Sequence, residues 1–414
     1  MAALWYHPGF RRLWLAKLVS SLGSQITFVA LPLAAVLVLD ASARQMGILT
    51  AAGTLPYLLL GLPAGAWVDR LPRRAILIAA DLGRALVLAS VPLAAILGLL
   101  RIELLYLVAF LSGVGTLAFD VAEEAFLPSL VERGRLVEGN SRLAAIDSVV
   151  TIAGPGAGGG LVQLLGAPLA ILADVVSFLA SALLLRGIHI PGAPSVPAPA
   201  RANLWVEVGE GLRFVVRQPL LRAVTATSAT MQLFGGMFNA LLALFLTREL
   251  GLPPASLGLL YAAGSASGLA AALAATRLTR RLGLGRVVVA AALAIGAGWL
   301  VVSFAGGGLG RIVATLGAGI LLAGMGNALY NINAASLAQT ITPGHLLGRV
   351  NASRLFLAWG ALPLGALLGG YLGQAIGLRP TLLLAGAGLA AGCLWVFFSP
   401  VRGATAQTVL AERE

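Results

Sequence analysis

Residues 45–100 read QMGILTAAGTLPYLLLGLPAGAWVDRLPRRAILIAADLGRALVLASVPLAAILGLL: two apolar runs, 45–68 and 75–100, joined by the charged turn Asp69-Arg70-Leu-Pro-Arg73-Arg74. Each run exceeds the roughly 20 apolar residues that a helix needs to cross a bilayer. A charged turn between two such runs reads as a helical hairpin through lipid. The same alternation fills the chain. Hydrophobic types make up 59% of the 414 residues and charged types 11%, against roughly 25% in a soluble domain. A mean hydropathy of +0.93 leaves no room for a large soluble domain. The fold class is therefore all-α and integral to the membrane.

Working outward, apolar runs predict twelve transmembrane helices, at 12–38, 45–68, 75–100, 103–127, 144–165, 168–188, 220–247, 255–277, 286–305, 312–338, 352–376 and 380–399. The first run is too long for a signal peptide and carries Lys17, so it is expected to stay as span 1. Arginines orient the set. Arg11, Arg12, Arg70, Arg73, Arg74, Arg133, Arg135, Arg142, Arg277, Arg280, Arg281, Arg286, Arg349 and Arg354 fall at the N-terminus and in the even-numbered loops, while the opposite loops hold one arginine each. Positive residues stay cytoplasmic, so both termini are expected in the cytoplasm and the spans in a bacterial inner membrane. The net charge of +12 is thus a topology signal, and nucleic acid is not an expected partner. Cys393 is the single cysteine, and His7, His189 and His345 lack ligand spacing, so no metal or other cofactor is expected.

The chain repeats itself. A shift of 211 residues places Gly47 and Gly53 on Gly258 and Gly264, Gly113 and Gly115 on Gly324 and Gly326, Asn140 on Asn351, and Gly154, Gly158 and Gly159 on Gly365, Gly369 and Gly370. Two parallel six-helix bundles follow, 1–188 and 220–400, with a short tail at 401–414. Such repeats build transporters, with the substrate site expected at their interface near mid-membrane. The linker 189–219 opens with the stiff, proline-rich 191–200. It continues as an amphipathic helix carrying Leu204, Trp205, Val208, Leu212, Val215 and Val216 on one face. That helix either lies in the headgroup layer or packs on neighbouring elements.

Three motifs carry chemistry. Gly65, Asp69, Arg70, Arg73 and Arg74 form GxxxDRxxRR after span 2, which resembles the signature loop of the major facilitator superfamily. The resemblance implies the major-facilitator fold and a cytoplasmic gate latch; the bland alternative is simple topogenic charge. Gly154, Pro155, Gly158 and Gly159 in span 5 resemble the superfamily's antiporter motif, although Val150 stands where the fuller motif has a glycine. Ser112-Gly113-Val-Gly115 in span 4 resembles a third motif, whose arginine position is Ala109 here. Further strings resemble the drug:proton antiporter-3 branch, which includes macrolide-efflux and enterobactin-exporter-like proteins: Asp81-Leu-Gly-Arg84, Leu127-Pro-Ser-Leu-Val131, Gly139-Asn140-Ser141, Asp174-Val-Val-Ser-Phe178 and Glu210-Gly-Leu-Arg-Phe214. The acid that the branch carries in span 1 is replaced by Ser24-Gln25.

Ionisable residues inside the membrane are costly and persist when paired, protonated or useful. Asp81, Arg84, Asp120, Glu123, Glu124, Asp147 and Asp174 all lie in the first half. Their counterparts 211 residues on are Ala292, Ile295, Asn331, Ala334, Ala335, Ala358 and Ala385. Asp120, Glu123 and Glu124 share one helical face by spacing and are the proton-coupling candidates, Asp120 first. One of Glu123 and Glu124 is expected to pair with Arg73 or Arg74. The alternative is that all three only tie helices together. Asp81 with Arg84, Asp147 and Asp174 are read as structural charges. Gln25, Asn239, Asn327, Tyr330, Asn331 and Trp359, with Gln232 and Asn333, are candidates for the cavity wall or for interhelical bonds. A mostly apolar cavity suits amphiphilic, drug-like substrates.

The expected function is secondary active transport by a monomer: efflux of a hydrophobic or amphiphilic small molecule, such as a drug, macrolide or siderophore, driven by protons. A facilitator or importer would use the same scaffold, and a membrane sensor is the reading from another class. No HExxH, GxSxG, Walker loop or Cys/His cluster is present, so the chain is not expected to be an enzyme.

Overall fold

A computed structural model describes residues 4–68, 71–131, 133–188 and 204–403. The helices are α1 (Pro8–Leu37), α2 (Ala43–Val68), α3 (Arg73–Ile96), α4 (Ile102–Leu130), α5 (Leu136–Leu165), α6 (Ala167–Arg186), α7 (Leu204–Arg217), α8 (Pro219–Leu244), α9 (Ala255–Leu282), α10 (Leu284–Ser303), α11 (Leu309–Ile341), α12 (Leu347–Ile376), α13 (Leu378–Ala391) and α14 (Cys393–Phe397). Among the described residues there is no strand. Eleven helical stretches among the described residues are long and apolar enough to cross a membrane, α13 and α14 forming one of them. The 26-residue α2 stands where the second span is expected. The linker segment 191–200, Asp69, Arg70 and the last eleven residues of the tail lie outside the described residues.

Two compact units form. Unit 1 comprises Met1–Ala41, Ala52–Arg201 and Pro253–Ala262; unit 2 comprises Ser42–Ala51, Ala202–Leu252 and Ala263–Glu414. Within unit 1, α1 packs on α5 and α6, and α3 on α4 and α6. Within unit 2, α8 packs on α12 and α13, and α10 on α11 and α13. Each pairing is the image of the other under the 211-residue shift. The glycines explain how closely these helices approach. A Cβ on Gly113 would lie 2.5 Å from the Gly53 carbonyl oxygen, and one on Gly324 would clash with the carbonyl of Gly264, its repeat image. In lipid such small-residue contacts replace the hydrophobic drive for helix association.

Helix ends differ from the apolar runs. Helix α5 begins at Leu136, two turns before the predicted 144, and α12 begins at Leu347 instead of 352. The added turns carry Glu138, Asn140 and Arg142 in one case and Arg349 and Asn351 in the other. They are helical but too polar for a hydropathy reading to include. The linker helix α7 packs on α12: a Cβ on Gly211 would meet the Arg349 carbonyl and the Ser353 hydroxyl at 2.5 Å, and Arg349 pairs with Glu210 at 2.5 Å. Val215 is buried, while Leu212 and Val216 stay exposed. The Trp205 side chain lies outside the described residues.

Candidate functional site

The charges of unit 1 resolve into three groups. In the first, Lys17 Nζ of α1 lies 2.9 Å from Glu123 Oε2 of α4 and 3.5 Å from Asp147 Oδ1 of α5. Glu123 is buried, whereas the Asp147 side chain is half exposed. Of the two glutamates of which one was expected to pair with Arg73 or Arg74, Glu123 takes Lys17 instead. Arg73 instead donates to the Ala125 carbonyl at 2.8 Å, and Arg74 donates to the Leu185 carbonyl at 3.1 Å and to that of Arg186. These arginines tie the first turn of α3 to the ends of α4 and α6.

Asp120 forms the second group. Tyr57 donates its hydroxyl to Asp120 Oδ2 at 3.1 Å. Asp120 and Glu124 lie on the open face of α4, while Phe119, Ala122 and Glu123 are buried. The three acids therefore share one broad face but not one environment. Three residues advance a helix by about 300° and four by about 400°, so Glu123 and Glu124 fall on opposite sides of Asp120, and Glu123 turns into the packing.

The third group is buried. Arg84 pairs with Asp81 at 2.5 Å. Its guanidinium carbon sits 4.0 Å from the Phe178 ring centre and 4.8 Å from that of Phe119. Asp174, 1% exposed, accepts from Thr27 at 2.5 Å and from Ser177 at 3.0 Å. All its near partners are hydroxyls.

Unit 2 has an amide at the image of Asp120 and alanines at the images of the other intramembrane acids. Asn331, the image of Asp120, donates to Asn327 Oδ1 at 3.1 Å and to the Asn327 carbonyl at 2.9 Å, and both residues are exposed along one side of α11. Tyr330 turns the other way. It is buried and donates to the Val224 carbonyl of α8 at 2.9 Å. Asn333 is likewise interior, accepting from Thr279 at 2.8 Å. Trp359 is half exposed, and Gln25 and Asn239 are partly buried.

The family model described as transmembrane secretion effector, of the major facilitator type, matches residues 2–413. The chain belongs to the transmembrane secretion effector family. It is a multi-pass membrane transporter of the major facilitator fold and not an enzyme. A multidrug efflux pump, Tap of Mycolicibacterium fortuitum, is 33% identical over 380 residues, covering 89% of this chain and 90% of the relative. The enterobactin exporter EntS of Salmonella typhimurium is 26% identical over 352 residues, covering 83% and 81%. In fold, the chain resembles a bacterial homologue of the iron transporter ferroportin, with a TM-score of 0.77 at 21% identity over 94% of this chain and 97% of that one.

Within this secretion effector, the antiporter-motif glycines line two faces of α5. Gly154 and Gly158 face Gln25 and Ile26 of α1, while Gly159 and Pro155 meet Ala255 and Gly258 at the start of α9. Gly65 of the gate motif lies in α2. Sequence reasoning passed over two residues. Lys17 served only to mark the first run as a span, yet one lysine beside 27 arginines is itself a signal when that lysine lies in a span. Tyr57 carried no motif; only the fold brings it to Asp120.

Proposed function

We propose that this secretion effector exports an amphiphilic small molecule in exchange for protons, with Asp120 carrying the proton. The observation that supports this is the partnering of the intramembrane acids. Glu123 and Asp81 each hold a cation, and Asp174 is enclosed by hydroxyls. Among the described residues Asp120 has one hydrogen bond, from a neutral tyrosine, and an open face. A carboxylate against hydrocarbon costs at least about 2.5 kcal/mol, so an open side at this position favours water, the medium a proton exchanges with. Glu124 shares the face one turn nearer the arginine-rich end and serves as relay.

The substrate class draws on the relatives, named a multidrug efflux pump and an enterobactin exporter. It also draws on the charge-poor second unit, whose Asn327 and Asn331 offer neutral polar contacts. Arginine asymmetry supports cytoplasmic termini, and the internal repeat supports a working monomer.

Proteoliposomes holding the chain, a fluorescent amphiphilic cation such as ethidium and an imposed pH gradient test this reading. Wild type moves dye against its gradient. Asp120→Asn, which installs the residue found at Asn331, abolishes gradient-driven movement and keeps downhill exchange. Full pH-driven transport in that variant refutes the assignment.

A further inference from the structure

Under the 211-residue shift the loop region between α4 and α5 maps onto that between α11 and α12, but the packing does not. In unit 1, Leu127, Val131 and Leu143 are buried in one apolar cluster. Their images in unit 2 are Ala338, Thr342 and Arg354. One side chain shrinks, one becomes a hydroxyl and one becomes a cation. A cavity of about 170 Å³ opens where unit 1 has a plug, lined by Ala338, Gln339, Thr342, Gly348, Asn351 and Arg354. At about 30 Å³ per water in the liquid, that is room for a phosphate group.

Arg354 is partly buried and makes no ion pair or hydrogen bond among the described residues; its Nε is fully enclosed and unpartnered. An enclosed guanidinium nitrogen without an acceptor, beside a cavity, is a donor that lacks its partner. The other arginine in the first turns of α12, Arg349, is already paired with Glu210. The amides of Gln339 and Asn351 line the same recess.

We propose that this recess is an anion site that takes a phosphate group, held by the Arg354 guanidinium. Planar, bidentate donation suits phosphate oxygens, and basic recesses between transmembrane helices take phospholipid headgroups. The phosphate has two available sources, an anionic lipid or a soluble phosphate, and the experiment separates them.

Native mass spectrometry of the intact, detergent-solubilised chain is titrated with dioleoylphosphatidylglycerol, with the zwitterionic dioleoylphosphatidylcholine and, separately, with inorganic phosphate. The tightest anionic adduct in wild type is expected to weaken by about tenfold or more in Arg354→Leu, the residue the repeat places at Leu143, and by less in Arg354→Lys. Loss confined to phosphatidylglycerol assigns a lipid headgroup; loss confined to inorganic phosphate assigns a soluble ligand. Gly348→Leu provides a second test. A Cβ at Gly348 meets nothing within 4 Å, so the variant folds while its side chain crowds the recess and reduces the same binding. Equal affinity for both phosphate probes in wild type, Arg354→Leu and Gly348→Leu overturns the proposal.

Discussion

Lys17 Nζ sits 2.9 Å from Glu123 Oε2, with both side chains largely withdrawn from solvent. One ammonium thereby joins α1 to α4, and Asp147 extends the link to α5. Breaking a buried pair from one side leaves the other charge uncompensated and costs about 3–5 kcal/mol, whereas replacing both partners by apolar groups is often neutral. Lys17→Met is therefore expected to destabilise the detergent-solubilised chain by that order. Lys17→Met with Glu123→Met should recover most of the loss. Thermal unfolding of the three proteins checks this, and a double variant no more stable than the single one contradicts the pairing.

Tyr57 donates to Asp120 across α2 and α4. A hydrogen bond to a charged group contributes about 1.5–3 kcal/mol. Tyr57→Phe should preserve folding and slow pH-driven transport in proteoliposomes, because the Asp120 carboxyl loses the hydroxyl that holds it in place. Tyr57→Phe with Asp120→Asn should be no worse than Asp120→Asn alone.

The fold was legible in the sequence because lipid imposes a crude rule: long apolar runs, and arginines on one side. The repeat was legible because glycine positions report helix contact, so that Gly113 with Gly53 and Gly324 with Gly264 fall at matching places. Partnering was not. The spacing of Asp120, Glu123 and Glu124 put all three on one face, but which edge of that face turns inward depends on where α1 lies, and spacing along α4 carries no such information. The partner of Glu123 was not legible for the same reason. Lys17 is 106 residues away in sequence and reaches Glu123 only through tertiary packing. Arg354 looked like another loop charge until its repeat image, Leu143, proved to be core.

The glycine contacts make a graded prediction. A Cβ at Gly113 would stand 2.5 Å from the Gly53 carbonyl oxygen and 3.0 Å from the Pro56 ring, whereas Gly83 in α3 has nothing within 4 Å. Gly113→Ala forces a backbone shift, and such overpacking costs about 1–3 kcal/mol. Gly83→Ala meets open space and gains helix propensity, worth up to about 1 kcal/mol in water. The two variants should move the melting temperature in opposite directions. A neutral Gly113→Ala would mean that α2 and α4 do not approach as closely as described.

Arg84 separates charge from shape. Its guanidinium pairs with Asp81 and lies against the rings of Phe119 and Phe178 from two other helices. Lysine keeps the charge but loses the planar surface that stacks on the rings and the fork that directs two donors. If charge alone mattered, Arg84→Lys would match wild type. The packing predicts a loss of about 1–2 kcal/mol, one to two cation–ring contacts. Arg84→Met should cost more, since it leaves the fully buried Asp81 without its cation. Arg84→Met with Asp81→Leu should fall between them, restoring electrostatic balance without the aromatic contacts. Chemical or thermal unfolding of all four proteins in one detergent gives the order, and Arg84→Lys at or above wild-type stability would show that the two rings contribute nothing to holding α3.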